Sequence, residues 1–339
     1  MKEIEALIAI SRKYGADDRF VIAGGGNTSY KTADRLWVKA SGHALATITE
    51  DGFAVLDRAR LNPMGEKKYS ADTAEREEQV KNDLADACIT KGRRPSVETS
   101  MHNCLQAPYI VHLHPTLVGG LMCSKDAEAR CAKLFPDALY IPYTDPGYTL
   151  FKKVYDKVAA YRKAHGCEPQ VIFLQNHGIF VGGKTTAEIE KVYNHVLGTI
   201  EAQVRPVPQG EAPVCDCVSE TLPAIRTVLS RGGRGLKTLK VTNNALIDSF
   251  VQSREAAAAI LAPFTPDGIV YCKSEYIYLD APCEKLAAQA EKKIEAYVQK
   301  RGHTPKVLLI KGIGLVAVGD NAKNAQIITD VFYDAMKIA

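Results

Sequence analysis

Residues 171–200, VIFLQNHGIFVGGKTTAEIEKVYNHVLGTI, and residues 307–336, VLLIKGIGLVAVGDNAKNAQIITDVFYDAM, lie over one another without a gap. Two apolar runs, a turn, an amphipathic stretch and the glycine pairs 178/314 and 183/319 coincide. Identity is low, but both stretches read as strand, tight turn, strand and helix. The repeat predicts that the second half of the chain contains a degenerate partial copy of the first. It places His177 over Ile313, and a shorter alignment of YIVHLH with GIVYCK puts Tyr271 and Lys273 where His112 and His114 stand. On this reading the second copy has lost its chemistry and serves packing or assembly.

Three prolines within RPVPQGEAPVCDC, residues 205–217, interrupt both periodicities and mark a domain boundary. A first domain over 1–210 and a C-terminal α+β domain over 218–339 are expected. The first reads as a helix over 2–14, strands at RFVIAGG and RLWVKASG around a glycine-rich turn, and a helix over 73–92 ending at Gly92. A helix opened by Pro95 and Ser96 follows, then strands at YIVHLH and ALYIP, a helix over 152–165 and the first copy of the repeat. The second domain reads as helical stretches, a strand pair in GIVYCKSEYIYLD, a helix in CEKLAAQAEKKIEAYVQK and the second copy. Strands and helices mix without βαβ alternation, which predicts an α/β protein with a three-layer α/β/α sheet holding many antiparallel pairs.

Composition excludes several classes. With 46% hydrophobic and 24% charged residues the chain reads as a soluble globular protein. Its apolar runs are broken too early to span a bilayer, and Glu3 and Glu5 stand where a secretion signal needs a basic region and an unbroken apolar core. No membrane partner and a cytoplasmic location are expected. The net charge is +4 and no Lys/Arg block interleaves with aromatics, so no nucleic-acid partner is expected. The nine cysteines, Cys88 to Cys283, read as free thiols. Cys215 and Cys217 are close in sequence, but with no second thiolate pair nearby they read as core or linker residues.

His112 and His114 sit two apart on the strand YIVHLH, so both project to one face with Cβ atoms about 7 Å apart. That separation suits one shared divalent metal. His177, in the turn QNHGI where Gly178 permits an unusual backbone angle, is the candidate third ligand. Three histidines on zinc leave a coordination position open, the catalytic arrangement; another divalent metal is possible on the same donors. Histidines 43, 102, 165, 195 and 303 read as surface or supporting residues. A lone glutamate at a helix start, such as Glu98, is most often a dipole-stabilising cap. In GGGNTSYK, residues 24–31, three glycines with Asn27, Thr28 and Ser29 offer donors suited to an anion, and Ser41, Gly42 and Ser96 add more. The glycines of GIGLVAVG have the wrong spacing for a dinucleotide.

Taken together, GGGNTS, VKASG, PSVETSMH, VHLHP, PYTDPG and QNHGIFVGG, over about residues 15–205, resemble the class II aldolase/adducin family, the zinc-dependent fuculose- and rhamnulose-phosphate aldolase group. The resemblance implies an α/β/α domain assembled about a fourfold axis, a homotetramer with active sites between subunits. It implies His112, His114 and His177 as metal ligands and Glu98 as the acid/base residue. Tyr143 would reach a neighbouring subunit's site, and phosphate would fall on Asn27 with Thr28 beside it, Ser41, Gly42 and Ser96. The implied reaction is retro-aldol cleavage of L-rhamnulose or L-fuculose 1-phosphate to dihydroxyacetone phosphate and L-lactaldehyde. Epimerisation, dehydration or decarboxylation of a sugar phosphate, and a non-catalytic adducin-like module, are the alternatives within the family. One departure is that Val97 stands where many members have a second serine. Beyond residue 215 the chain resembles the segment joining aldolase to dehydrogenase in bifunctional rhamnulose-phosphate aldolase/lactaldehyde dehydrogenase proteins, here without the dehydrogenase.

Overall fold

A computed structural model describes residues 2–339. The chain divides between Val204 and Arg205 into two units. In the first, α1 spans Lys2–Gly15, β1 Asn27–Lys31, β2 Arg35–Lys39, β3 Phe53–Asp57, α2 Arg58–Leu61, α3 Thr73–Ala87 and α4 Thr99–Cys104. Next come β4 Tyr109–Leu113, α5 Thr116–Met122, α6 Ala127–Leu134, β5 Leu139–Ile141, α7 Tyr148–His165, β6 Val171–Leu174, β7 Gly178–Gly183 and α8 Thr186–Glu201.

Seven strands form one sheet in the order β3-β2-β1-β4-β7-β6-β5, parallel at β5/β6 and antiparallel at every other pair. The parallel pair needs a crossover, which α7 supplies. Because side chains alternate along a strand, Val111, Leu113, Ile179 and Val181 pack on one face under Leu7, Ile10, Val118, Ile189 and Tyr193 of the helices there. On the other face Ile110, Leu36, Val38 and Phe180 pack under Val80, Leu84, Met101, Phe151 and Val154. Fully burying each of these large side chains contributes about 1.5–3 kcal/mol. The result is the expected three-layer α/β/α sheet. Helix starts are written locally: Thr185 accepts from the Glu188 N–H while the Glu188 carboxylate accepts from the Lys184 N–H, fixing the entry into α8.

Several boundaries differ from the sequence reading. RFVIAGG is not a strand: Phe20 and Val21 anchor a turn in the core beside Tyr14, and Ala23 and Gly26 take positive φ before β1 begins. The glycine-rich stretch therefore enters a strand rather than joining two. Helix α3 stops at Ala87 because Cys88 is drawn into a bridge with Leu56. Helix α4 starts only at Thr99, since Pro95 is held extended in a bridge with Ala40.

In the second unit α9 spans Val218–Ser230, β8 Thr238–Thr242, α10 Ala245–Val251, α11 Arg254–Ala257, β9 Ile277–Leu279, α12 Cys283–Arg301, β10 Val307–Ile310, β11 Gly314–Gly319 and α13 Ala322–Ile338. Its sheet runs β8-β11-β10-β9. The repeat is visible in the register: Val171↔Val181 through Leu174↔Gly178 in β6/β7 is matched, 136 positions on, by Val307↔Ala317 through Ile310↔Gly314 in β10/β11. The β9/β10 pair is parallel like β5/β6, with a long crossover helix, α12, ending on left-handed Gly302 as α7 ends on Gly166. The turn repeats too: His177 N–H donates to Leu174 O and Ile313 N–H to Ile310 O.

The short alignment on GIVYCK is corrected. Residues 268–272 form a single π-helical turn with Gly268 and Cys272 buried while Ile269 and Val270 face out, a helical rather than alternating burial. The counterpart of β4 is β8, because Thr238–Thr242 pairs with β11 as Tyr109–Leu113 pairs with β7. Val241, not Tyr271, then stands for His112, and Asn243 for His114. No described helix is long and apolar enough to cross a membrane.

Candidate metal centre

His112 lies near the end of β4 opposite Phe180 of β7, and its ring stacks on that phenyl with centroids 4.0 Å apart. Its Nδ1–H donates to the Ile179 carbonyl at 3.0 Å, which turns Nε2 toward the sheet end. His114 stands just past the strand, with its Nε2 3.1 Å from that of His112. His177 comes from the β6–β7 turn, and the three ring centroids are 4.9, 5.0 and 5.1 Å apart with planes nearly perpendicular. One nitrogen from each lies within 4.8 Å of the others. Gly178 serves the turn differently from the sequence reading. The positive φ belongs to Asn176, whereas a Cβ at Gly178 would clash with the Leu113 carbonyl and lie 2.7 Å from the His114 ring.

Glu98 occupies the cap position of α4, but its side chain makes no cap hydrogen bond. Its carboxylate turns inward: Oε1 is 3.1 Å from His177 Nε2 and 3.3 Å from His112 Nε2, and Oε2 accepts from Asn27 Nδ2 at 2.6 Å. Burial pushes the Glu98 carboxyl up, but His112 and His177 outweigh it and hold the group well below the usual carboxylate range. The His112 imidazole is itself pushed down to about 4, first by burial, against the pull of Glu98. With its Nδ1–H spent on a carbonyl, His112 turns Nε2 to a carboxylate and a second imidazole, and left neutral by burial it would oppose them with a bare lone pair, so that only positive charge at Nε2 suits these neighbours. A cation among the Nε2 atoms resolves that conflict, so the donor set fits a divalent metal.

Behind Glu98 runs a directed chain of hydrogen bonds. Asn27 Nδ2 donates to Glu98 and Ser96 Oγ, so its Oδ1 accepts from His102 Nε2–H, and His102 Nδ1 accepts from Ser29 Oγ at 2.7 Å. Burial holds His102 well below the usual imidazole range, which keeps it neutral in this tautomer. Expected as a surface or supporting residue, His102 is a buried support. Its position four residues after Glu98 on one short helix was the available signal. Lys39, also missed, is buried beside the site, its ammonium pushed down by burial and drawn up by Glu98.

Among the candidate anion donors, Asn27 and Ser96 meet at Glu98, and Ser41 lies beside them through the Ala40–Pro95 bridge. Gly42 has φ +89 with open space around it. Thr28 is corrected: strand alternation turns it to the opposite face, where it is fully buried and bonded to Ser11 at 2.7 Å. Val97 is 71% exposed. Tyr143 is also exposed and its hydroxyl donates to Asp145, while its N–H donates to the Gln175 amide oxygen, tying its loop to the His177 turn.

Residues 5–203 match the model of the Class II Aldolase and Adducin N-terminal domain. A curated relative, the Bacillus subtilis "Uncharacterized oxidoreductase YuxG", is 26% identical over 94% of this chain and 51% of its own length. The chain thus spans about half the length of that relative. Among solved structures, the N-terminal class II aldolase domain of a conserved protein from Thermoplasma acidophilum is 27% identical, with a TM-score of 0.52 over 60% of this chain and 94% of that one. An L-fuculose 1-phosphate aldolase from Glaciozyma antarctica PI12 matches at 16% identity and a TM-score of 0.39, over 60% of this chain and 72% of that one.

Proposed function

Because the chain belongs to the class II aldolase and adducin family through residues 5–203, we propose that its first unit is a divalent-metal-dependent aldehyde lyase acting on an L-deoxyketose 1-phosphate. L-Rhamnulose or L-fuculose 1-phosphate would be split into dihydroxyacetone phosphate and L-lactaldehyde. The observation that carries the reading is the meeting of His112, His114 and His177 with an ionised Glu98 at one sheet end.

His112, His114 and His177 would hold the metal, with zinc favoured by three imidazoles. When bound, it supplies positive charge against the negative charge that develops on the dihydroxyacetone phosphate fragment. Glu98 would move the proton at substrate C3: its carboxylate takes that proton in the addition direction, and its carboxyl returns it on cleavage. Asn27 keeps one carboxylate oxygen occupied, leaving Oε1, on the histidine side, to serve the proton transfer. Ser41, Gly42, Ser96 and Asn27 would seat the phosphate, whose binding energy positions the carbonyl. In a homotetramer the exposed Tyr143 would reach the site of a neighbouring copy to handle the C4 hydroxyl proton.

Product analysis with both sugar phosphates tests the proposal. The zinc-loaded chain is expected to release lactaldehyde and dihydroxyacetone phosphate from one of them, and His112→Ala to lose that activity. Neither product from either substrate, with metal bound, would overturn it; a chain that binds no metal would point to a non-catalytic module instead.

A further inference from the structure

The second unit lacks histidines at the positions matching the first unit's cluster, yet it gathers three thiols at the corresponding end of its sheet. Cys215 and Cys217 precede and cap α9, and Cys283 opens α12, 66 residues further on than Cys217. Cys215 Sγ is 2.9 Å from Cys217 Sγ and 3.3 Å from Cys283 Sγ, and all three sulfurs lie within 4.8 Å of one another. The Cys215 N–H donates to the carbonyl of Gly312 at 2.8 Å, fastening the thiol loop to the β10–β11 turn. That turn is the counterpart of the one that carries His177 in the first unit.

We propose that Cys215, Cys217 and Cys283 form a second metal site, a three-thiolate centre for a thiophilic ion of which Zn2+ is the physiological example. The closest sulfur pair is well beyond the roughly 2.05 Å of a disulfide. Around a tetrahedral zinc with Zn–S near 2.3 Å, sulfurs stand about 3.8 Å apart, so movements of under about 1 Å convert the cluster into a coordination shell. The Cys217 N–H donates to Cys215 Sγ at 3.4 Å, and Cys217 and Cys283 stand at the N-terminal ends of α9 and α12. Asp216 and Glu284, flanking the cysteines in sequence, favour a cation over an anion. Three soft donors exclude magnesium and calcium, and the exposed Cys283 leaves the fourth position to solvent or an added thiol. Binding releases the three thiol protons, so affinity rises with pH. The site would cross-link the proline-rich segment ahead of α9 to α12, a structural clamp independent of the histidine site.

Cobalt binding to the full reduced, metal-stripped chain tests this. Wild type is expected to take up two Co2+ per chain, one giving a near-ultraviolet thiolate-to-cobalt charge-transfer band. The band should survive in His112→Ala/His177→Ala, which retains one ion, and in Cys167→Ser, which removes an exposed cysteine elsewhere. Cys283→Ser and, separately, Cys217→Ser should lose most of the band and weaken Zn2+ binding more than about tenfold. The proposal is overturned if reduced wild type shows no band, if the band is unchanged in both cysteine variants, or if the freshly purified chain carries a disulfide among these residues by intact mass.

Discussion

Replacing His102 by leucine tests whether the hydrogen-bond chain behind Glu98 is a stabilising device. Leucine nearly matches the imidazole in volume, so packing against Phe180 changes little, but two hydrogen bonds vanish. Ser29 Oγ and Asn27 Oδ1 are left buried without these partners, at about 1–3 kcal/mol each. The expected loss is about 4 kcal/mol near pH 7, within a range of roughly 2–6. Urea unfolding followed by Trp37 fluorescence reads this directly, because the chain's single tryptophan lies in the first unit. A chelator in every sample keeps metal loss out of the comparison. Ser29→Ala added to His102→Leu removes one orphaned group, so the double variant should recover about 1–2 kcal/mol over the single one. The sign with pH is also set. The folded imidazole is held below its unfolded pKa near 6.5, so its contribution is present above that pH and lost as pH falls further. The gap between wild type and His102→Leu should therefore narrow in acid. A His102→Leu variant within about 0.5 kcal/mol of wild type, or a double variant no more stable than the single, would refute the reasoning.

Three further outcomes are expected. Burial pushes the Lys31 ammonium down to about 7 from 10.5, so the unfolded chain binds more protons between those values; stability should rise with pH above 7 by up to about 1.4 kcal/mol per unit, and Lys31→Met should flatten that slope in urea titrations at pH 7, 8 and 9. Gly178→Ala would press on Leu113 and the His114 ring, so calorimetry should show metal affinity at the histidine site falling at least about tenfold. If the lyase reading holds, Val97→Ser should lower KM for the phosphorylated ketose by several-fold and leave that for its unphosphorylated counterpart unchanged, as expected of one added hydroxyl near the phosphate.

The layered sheet and the shared face of His112 and His114 were legible because strand alternation is a local, short-range signal, whereas the tight turn made His177 only a candidate, which the family resemblance joined to the pair. His112 illustrates this: two-residue periodicity gives its face, and the strand's apolar flanks give its burial. What was not legible depended on partners distant in sequence. Thr28 looked like an exposed donor until β4 and β2 closed over both sides of β1 and the alternation assigned it inward. Glu98 looked like a helix cap, and only Asn27, 71 residues away, and the histidines show why its carboxylate turns inward. Cys283 carried no signal in sequence, since its proximity to Cys215 depends on how α12 and the β10–β11 turn meet. GIVYCK failed for a different reason: a short apolar run fits either period, and here tertiary packing chose the helical one.

The matching registers of the two sheets give the histidine site a histidine-free counterpart within the same chain. Val241, Asn243 and Ile313 stand where the first unit has imidazoles, yet the strands there pair residue for residue in the same way. The strand pairing of the frame thus does not depend on the imidazole donors. Evolution can exchange the donors of such a site while leaving the strand pairing beneath it untouched, and a histidine site emptied of metal should recover it by simple reloading, with no refolding of its sheet.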